Sequence, residues 1–131
     1  MARENVDIVR EWFERWNAGE RDTFDDEMHP DAEIVSAMLG GAHRGQDALR
    51  SWFGEIEDQF DEWVVIPEGF HGAGDKVAAI GKVRLRGRGS GVSFDAPVGF
   101  LFELRDGKLS RLQTFVENPS EPLTLIGRAQ M

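Results

Sequence analysis

Apolar residues recur near the start of the chain at Val6, Val9, Phe13 and Trp16, in steps of three, four and three. Ile8 and Trp12 widen that stripe. The period is helical and predicts an amphipathic helix over residues 4–17. Gly19 is placed to take the left-handed turn after it. Asp22 can cap a short second helix carrying Phe24 and Met28, with Pro30 beyond its end. Ala32–Met38 reads as a strand with β-branched residues at its centre, closed by Gly40-Gly41. Gly45-Gln46-Asp47 opens a third helix, striped by Leu49, Trp52, Phe53, Ile56 and Phe60.

From residue 62 the period drops to two. Glu62–Glu68 is a strand, and Phe70-His71-Gly72 extends or bulges it. Gly74-Asp75 marks a turn. Lys76–Arg88 is a long strand with Val77, Ala79, Val83 and Leu85 on one face. The glycines at 87, 89 and 91 form a hairpin with Ser90, and Ser93–Leu104 is the returning strand. Arg105-Asp106-Gly107-Lys108 is a tight turn, and Leu109–Val116 is the last strand. Ser120 and Pro122 suit the start of a short final helix. Helices gathered on one face of an antiparallel meander make an α+β fold, with one domain over residues 1–131.

A chain of 131 residues supports one core without staples. It has no cysteine, which excludes disulfides and thiolate metal sites. The opening residues carry no apolar run, and no stretch approaches the ~20 apolar residues of a membrane helix. A cytoplasmic protein is therefore expected. With 15 basic and 24 acidic residues the net charge is −9, which argues against nucleic acid and anionic membrane as partners. Lys82, Arg84, Arg86 and Arg88 run against that balance. Their period of two puts them on one strand face, either solvated and paired with acids or set against a second subunit. Gly87-x-Gly89-x-Gly91 joins strand to strand, so it is no phosphate loop. The three histidines are far apart in sequence, and no zinc site is expected. Four Trp and nine Phe load the helices and long strands with rings, the chemistry of either a core or a small-ligand pocket.

Five segments, in order, resemble one family: Glu4-Asn5-Val6 leading to Trp16-Asn17-Ala18-Gly19-Glu20; His29-Pro30-Asp31-Ala32-Glu33; Arg44-Gly45-Gln46-Asp47-Ala48 with Trp52-Phe53; the glycine-rich hairpin from Arg86 to Gly91; and Leu104-Arg105-Asp106-Gly107-Lys108-Leu109. Together they resemble the SnoaL-like branch of the nuclear-transport-factor-2-like superfamily. That resemblance implies a cone, a curved antiparallel sheet wrapped around N-terminal helices with an open apolar pocket. It implies no cofactor, and a homodimer formed through the sheet. The implied pocket draws on Trp12, Trp16, Ser36 and Met38, together with Phe53, Gly99, Leu112 and Thr114.

Members of that superfamily include ketosteroid isomerases, polyketide cyclases and epoxide hydrolases, so fold alone does not give the reaction. An isomerase of that type needs a tyrosine and a protonated aspartate for the oxyanion and a second aspartate as base. Spacing puts those positions on Trp12, Gly99 and Ser36, none of the required type. An epoxide hydrolase needs two acids bridged by an arginine. Arg84 or Arg86 and Asp95 supply part of that set, without a second acid on a cavity-facing strand. A cyclase needs only one acid/base group, for which His29, His43 or Asp95 qualifies. His29 has two readings: a general base, or a histidine bonding free carbonyls at a helix end. Three functions follow: a module binding a small apolar molecule, which the empty catalytic positions favour; a cofactor-independent cyclase, isomerase or hydrolase using His29 or Asp95; or an interaction domain with no cavity of about 300 Å³ or more. One strand poses a puzzle. Val98, Phe100 and Phe102 face one way, whereas the isomerase-like register turns Pro97, Gly99 and Leu101 into the cavity. A bulge, or burial of both faces, would reconcile them.

Overall fold

The computed structural model describes residues 4–20, 26–36, 42–116 and 118–129. The first stripe forms α1 (Asn5–Asn17), which buries Ile8, Val9, Trp12, Phe13 and Trp16. Gly19, at φ 89°, turns the chain out of it. Asn17 then docks the helix end on the sheet. Its side-chain amide donates to the Val65 carbonyl at 2.7 Å and accepts from the Val65 N–H at 3.0 Å. Those two backbone groups belong to an edge strand and would otherwise lack a protein partner.

The short second helix does not include Met28. Met28, His29 and Pro30 begin strand β1 (Met28–Val35), whereas Asp22 and Phe24 lie outside the described residues. Pro30 is tolerated because the ladder between β1 and the last strand is irregular between Met28 and Glu33, where a missing N–H breaks no regular pairing. A three-residue strand, β2 (Ala42–Arg44), follows and pairs antiparallel with β1. The next stripe is α2 (Gln46–Gln59), burying Leu49, Trp52, Phe53 and Ile56. Phe60 opens the next strand instead of closing the helix.

Four long strands complete the sheet: β3 (Phe60–Ala73), β4 (Lys76–Gly87), β5 (Ser93–Arg105) and β6 (Lys108–Phe115). β3 runs on through His71, with a shift in pairing between Pro67 and Gly69. It lies at the sheet edge, where Pro67 costs no ladder bond. Asp106 (φ 56°) and Gly107 (φ 75°) make the β5–β6 turn, both in the left-handed conformation that the tightest hairpins require. The strand order is β2-β1-β6-β5-β4-β3. β1 runs parallel to β6 and the other neighbours are antiparallel, so the curved sheet of this α+β fold is mixed.

Both faces of β5 are buried from Val98 to Phe102, and this resolves the β5 puzzle. The β4–β5 register is continuous, with Val77 opposite Phe102 and Ala79 opposite Phe100. Those four residues, with Val98 and Leu112, face α1 and α2 in the main core. Their neighbours Ala78 and Leu101 point the other way, into a smaller core with Phe115 and Ile126. The last helix, α3 (Glu121–Ala129), covers that outer face. Gly99 belongs to the outer row, pressed against the Pro119 carbonyl.

The cationic run loses one member. Lys82, Arg84 and Arg86 share the outer face of β4, and Arg84 pairs with Asp95 at 3.0 Å. β4 ends at Gly87, and Arg88 curls back to the end of α2. It donates to the Glu57 carbonyl at 2.6 Å and pairs with Asp61 at 2.9 Å, as a cation suits a helix C-terminus.

Glu33 and Arg111 are neighbours across the parallel pair and bond at 2.8 Å on the outer face, with Arg44 at 3.2 Å. The Arg111 hydrogen bond, against a smaller opposing effect of burial, holds the Glu33 carboxyl below its usual range. A lowered folded pKa stabilises the fold above the unfolded value and ceases to do so as pH falls through the folded value. Glu33→Gln is thus expected to be less stable than the parent at pH 7. Urea unfolding at a series of pH values should show the gap holding to about pH 4.3 and closing below it. A gap unchanged at about pH 2 would show that the charge of Glu33 is irrelevant.

Candidate functional site

Two turns of α2 and the inner rows of the sheet leave a cavity of about 290 Å³. Trp52 and Ile56, one helical turn apart, form one wall. Val83 and Leu85 of β4, and Ala96, Val98 and Phe100 of β5, alternate onto another. Phe60 and Trp63 of β3 and Thr114 of β6 complete it, with Ser36 after β1 and Val116 after β6. Pro97 stands at the rim. The volume lies at the boundary between a binding cavity and a packing defect, so the lining decides. It is aromatic and aliphatic, with two hydroxyls and, among the described residues, no ionisable side chain. A larger concavity, about 530 Å³, runs along the solvent side of α1 between Asp7, Arg10, Glu11 and Glu14. It is a shallow, charged helix face with no apolar floor.

Ser36 and Thr114 are the two residues of the expected pocket set found in the lining. The Val35–Gln113 pairing brings them side by side. Trp12, Trp16, Phe53 and Leu112 lie behind it in the core. Trp16 stands 5.8 Å from Trp52 and 6.0 Å from Trp63, centroid to centroid, so it supports the rings that form the wall. Trp12 leans on Phe102 at 5.8 Å. Met38 lies outside the described residues. Gly99 faces α3 on the opposite side of the sheet, because strand neighbours alternate and Val98 and Phe100 take the cavity side.

Neither acid/base candidate lines the cavity. His29 sits in β1, not at a helix end, and its Nε2 donates to the Arg105 carbonyl at 2.7 Å. That is beside the β5–β6 turn, where Met28 pairs with Leu109, and Thr114 is near the other end of β6. Asp95 shares the outer face with Arg84, whose hydrogen bonds of 3.0 and 3.4 Å hold its carboxyl below the usual range. A carboxylate so held is a poor base. Glu103 lies with Lys76 at 3.4 Å and Arg111 at 3.6 Å, also outside. His43 lies in β2 opposite Ile34, and His71 is exposed on β3. Among the described residues no three potential metal ligands gather.

The lining residues missed by sequence reasoning were partly legible. Alternation puts Val83 and Leu85 on one face and Val98 and Phe100 on one face, and the helical period aligns Trp52 with Ile56. No local signal identifies Phe60, Trp63 or Val116, whose place depends on how far the strands run.

Solved structures of other proteins share this fold. TerC, solved with polyporic acid, superposes with a TM-score of 0.78 at 18% identity, over 93% of this chain and 96% of that one. An NTF2-like protein from Burkholderia thailandensis E264 gives 0.79 at 21% identity, over 99% of both chains. A candidate SnoaL-like polyketide cyclase from Jannaschia sp. CCS1 gives 0.74 at 24% identity, over 96% of both. At these identities the likeness is one of fold. No curated protein matches the sequence. No helix among the described residues is long and apolar enough to cross a membrane. The SnoaL-like domain family matches residues 9–112, from α1 through β6, and the chain therefore belongs to that family.

Proposed function

We propose that this protein binds a small, apolar, ring-containing molecule in the cavity between α2 and the sheet. The observation that carries this reading is the lining: aromatic and aliphatic walls around about 290 Å³, with two hydroxyls and no charge among the described residues. Such walls gain free energy by shedding water onto an apolar ligand. TerC, a protein of this fold, has been co-crystallised with polyporic acid, which supports the reading. A cyclase, isomerase or hydrolase reading needs an acid or base at the ligand. His29 and Asp95 lie on other surfaces, which favours binding without chemistry. The absence of cysteine fits a reducing, cytoplasmic setting.

Ala96→Trp would fill the cavity from its β5 wall. Tryptophan fluorescence titrated with naphthalene derivatives and small steroids is expected to saturate in the parent protein and to lose at least about tenfold in affinity in this variant, at similar melting temperature. Equal binding by both proteins would place the ligand elsewhere, and absence of saturation in the parent would remove the reading. A homodimer through the outer face of the sheet belongs to the same proposal, supported by half-buried Val64, Ile66 and Ile80 beside exposed Pro97. Sedimentation at micromolar concentration should give twice the chain mass; a monomer would refute it.

A further inference from the structure

Polarity in the cavity runs opposite to the order that leaves a ligand's polar end in water. Its deep wall is made of buried residues, and the polar one among them is Ser36, 2% exposed. Thr114 stands beside it, half-buried. The mouth is apolar: Val116 is 47% exposed, and Leu85 and Pro97 stand near it. Leu85 pairs across the strands with Phe94, itself 47% exposed, so the apolar surface continues past the mouth along the hairpin. Both hydroxyls already take part in other interactions. A hydroxyl rotates about its C–O bond and has one donor and two acceptor sites, so its O–H can turn from a present partner to an entering oxygen.

We propose that the cavity takes an uncharged ligand polar end first, its ketone, hydroxyl or ether oxygen against Ser36 and Thr114 and its apolar body toward Val116, Leu85 and Phe94. This rests on the cavity being the binding site, as proposed above. A neutral oxygen that enters loses its water and regains a hydrogen bond at the hydroxyls. A carboxylate entering the same way loses far more hydration, and no lining cation among the described residues compensates it. Reversed, with the oxygen at the mouth, the ligand would leave the two hydroxyls facing its apolar end and lay its polar end on Val116 and Leu85. The arrangement therefore selects both charge and orientation.

Equilibrium dialysis at pH 7 with three probes tests this: acetylnaphthalene, isopropenylnaphthalene, which replaces the ketone oxygen by CH₂ at the same shape, and naphthoate. The ketone is expected to bind about five- to tenfold tighter than the alkene, and naphthoate at least about tenfold weaker than the ketone. Thr114→Val and Ser36→Ala should each bring the ketone close to the alkene, with the alkene's own affinity moving less than about twofold. Thr114→Val keeps the side-chain shape at a half-buried position, so the test stands if Ser36→Ala fails to fold. A ketone preference that survives both substitutions overturns the proposal, as does tightest binding by naphthoate. Equal binding of ketone and alkene by the parent overturns the orientation and leaves the cavity reading standing. No binding of the alkene or the ketone, with no effect of Ala96→Trp on any probe, overturns the cavity reading and this proposal together.

Discussion

Replacing Trp16 by alanine is expected to cost about 3–5 kcal/mol of folding stability, the range for emptying a large ring from a core that cannot fully collapse. Trp16 is fully buried on α1 and sits among rings on three sides. Its centroid is 5.3 Å from Phe13, 5.5 Å from Phe53, 5.8 Å from Trp52 and 6.0 Å from Trp63. Several of these contacts are edge-to-face, a geometry worth something beyond the area buried. The rings come from α1, α2 and β3, so the void would open where both helices meet the sheet. Against a typical total of about 5–15 kcal/mol the variant would still fold, with a melting temperature lowered by roughly 10–20 °C. Urea unfolding with an unchanged slope is the measurement. Trp16→Phe keeps part of the edge contacts and should lose less than half as much. A loss under about 1 kcal/mol for the alanine variant would show that the ring cluster is not packed. Trp52 and Trp63 lean on Trp16 and line the cavity, so the alanine variant should also bind aromatic probes more weakly.

The residues behind that prediction were legible in the sequence because a helix repeats every 3.6 residues. The stripe Val9, Trp12, Phe13, Trp16 can be buried only as a helix face, and the helix formed where the period put it. The Asp106-Gly107 turn was equally legible, since few residue pairs accept two left-handed conformations in succession. The segment Met28-His29-Pro30 was not. A proline near a capping residue reads as a helix boundary, and only the irregular ladder beside Leu109, some eighty positions away, makes it a strand. The same distance hides the parallel β1–β6 pairing, and β2, at three residues, is too short to show a period of its own. The site was legible in part for a related reason. Alternation tells which residues share a face, but which face is the cavity depends on what covers the other. Ser36 and Thr114 fell on the inner row and Gly99 on the outer one because α3 lies on the outer face, and nothing within β5 records that.

Gly99 offers a direct test of that assignment. Gly99→Asp would install an acid at the position that spacing alone matches to the oxyanion aspartate of the isomerases, and it is expected to destabilise the protein by at least about 3 kcal/mol without creating an oxyanion donor. A side chain at position 99 would grow toward α3, not toward Ser36. Its Cβ would press on the Pro119 carbonyl oxygen, with the Pro122 ring at 3.1 Å. The obstacle is largely backbone, which cannot rotate aside as a side chain can. The carboxylate would sit beside a carbonyl dipole of the same sign, near the small core of Ala78, Leu101, Phe115 and Ile126. The strain is relieved by lifting α3 off the sheet, so limited proteolysis should cut within residues 118–129 before the rest of the chain unfolds. Gly99→Ala carries the steric part alone and should cost about 1–3 kcal/mol. Probe binding in the cavity should change little in Gly99→Ala, because Val98 and Phe100 hold the inner wall from the other face of the same strand. A stable Gly99→Asp protein with α3 still protected, or one that gains ketosteroid isomerisation, would mean that position 99 faces the cavity and that the two faces of β5 are the reverse of those described.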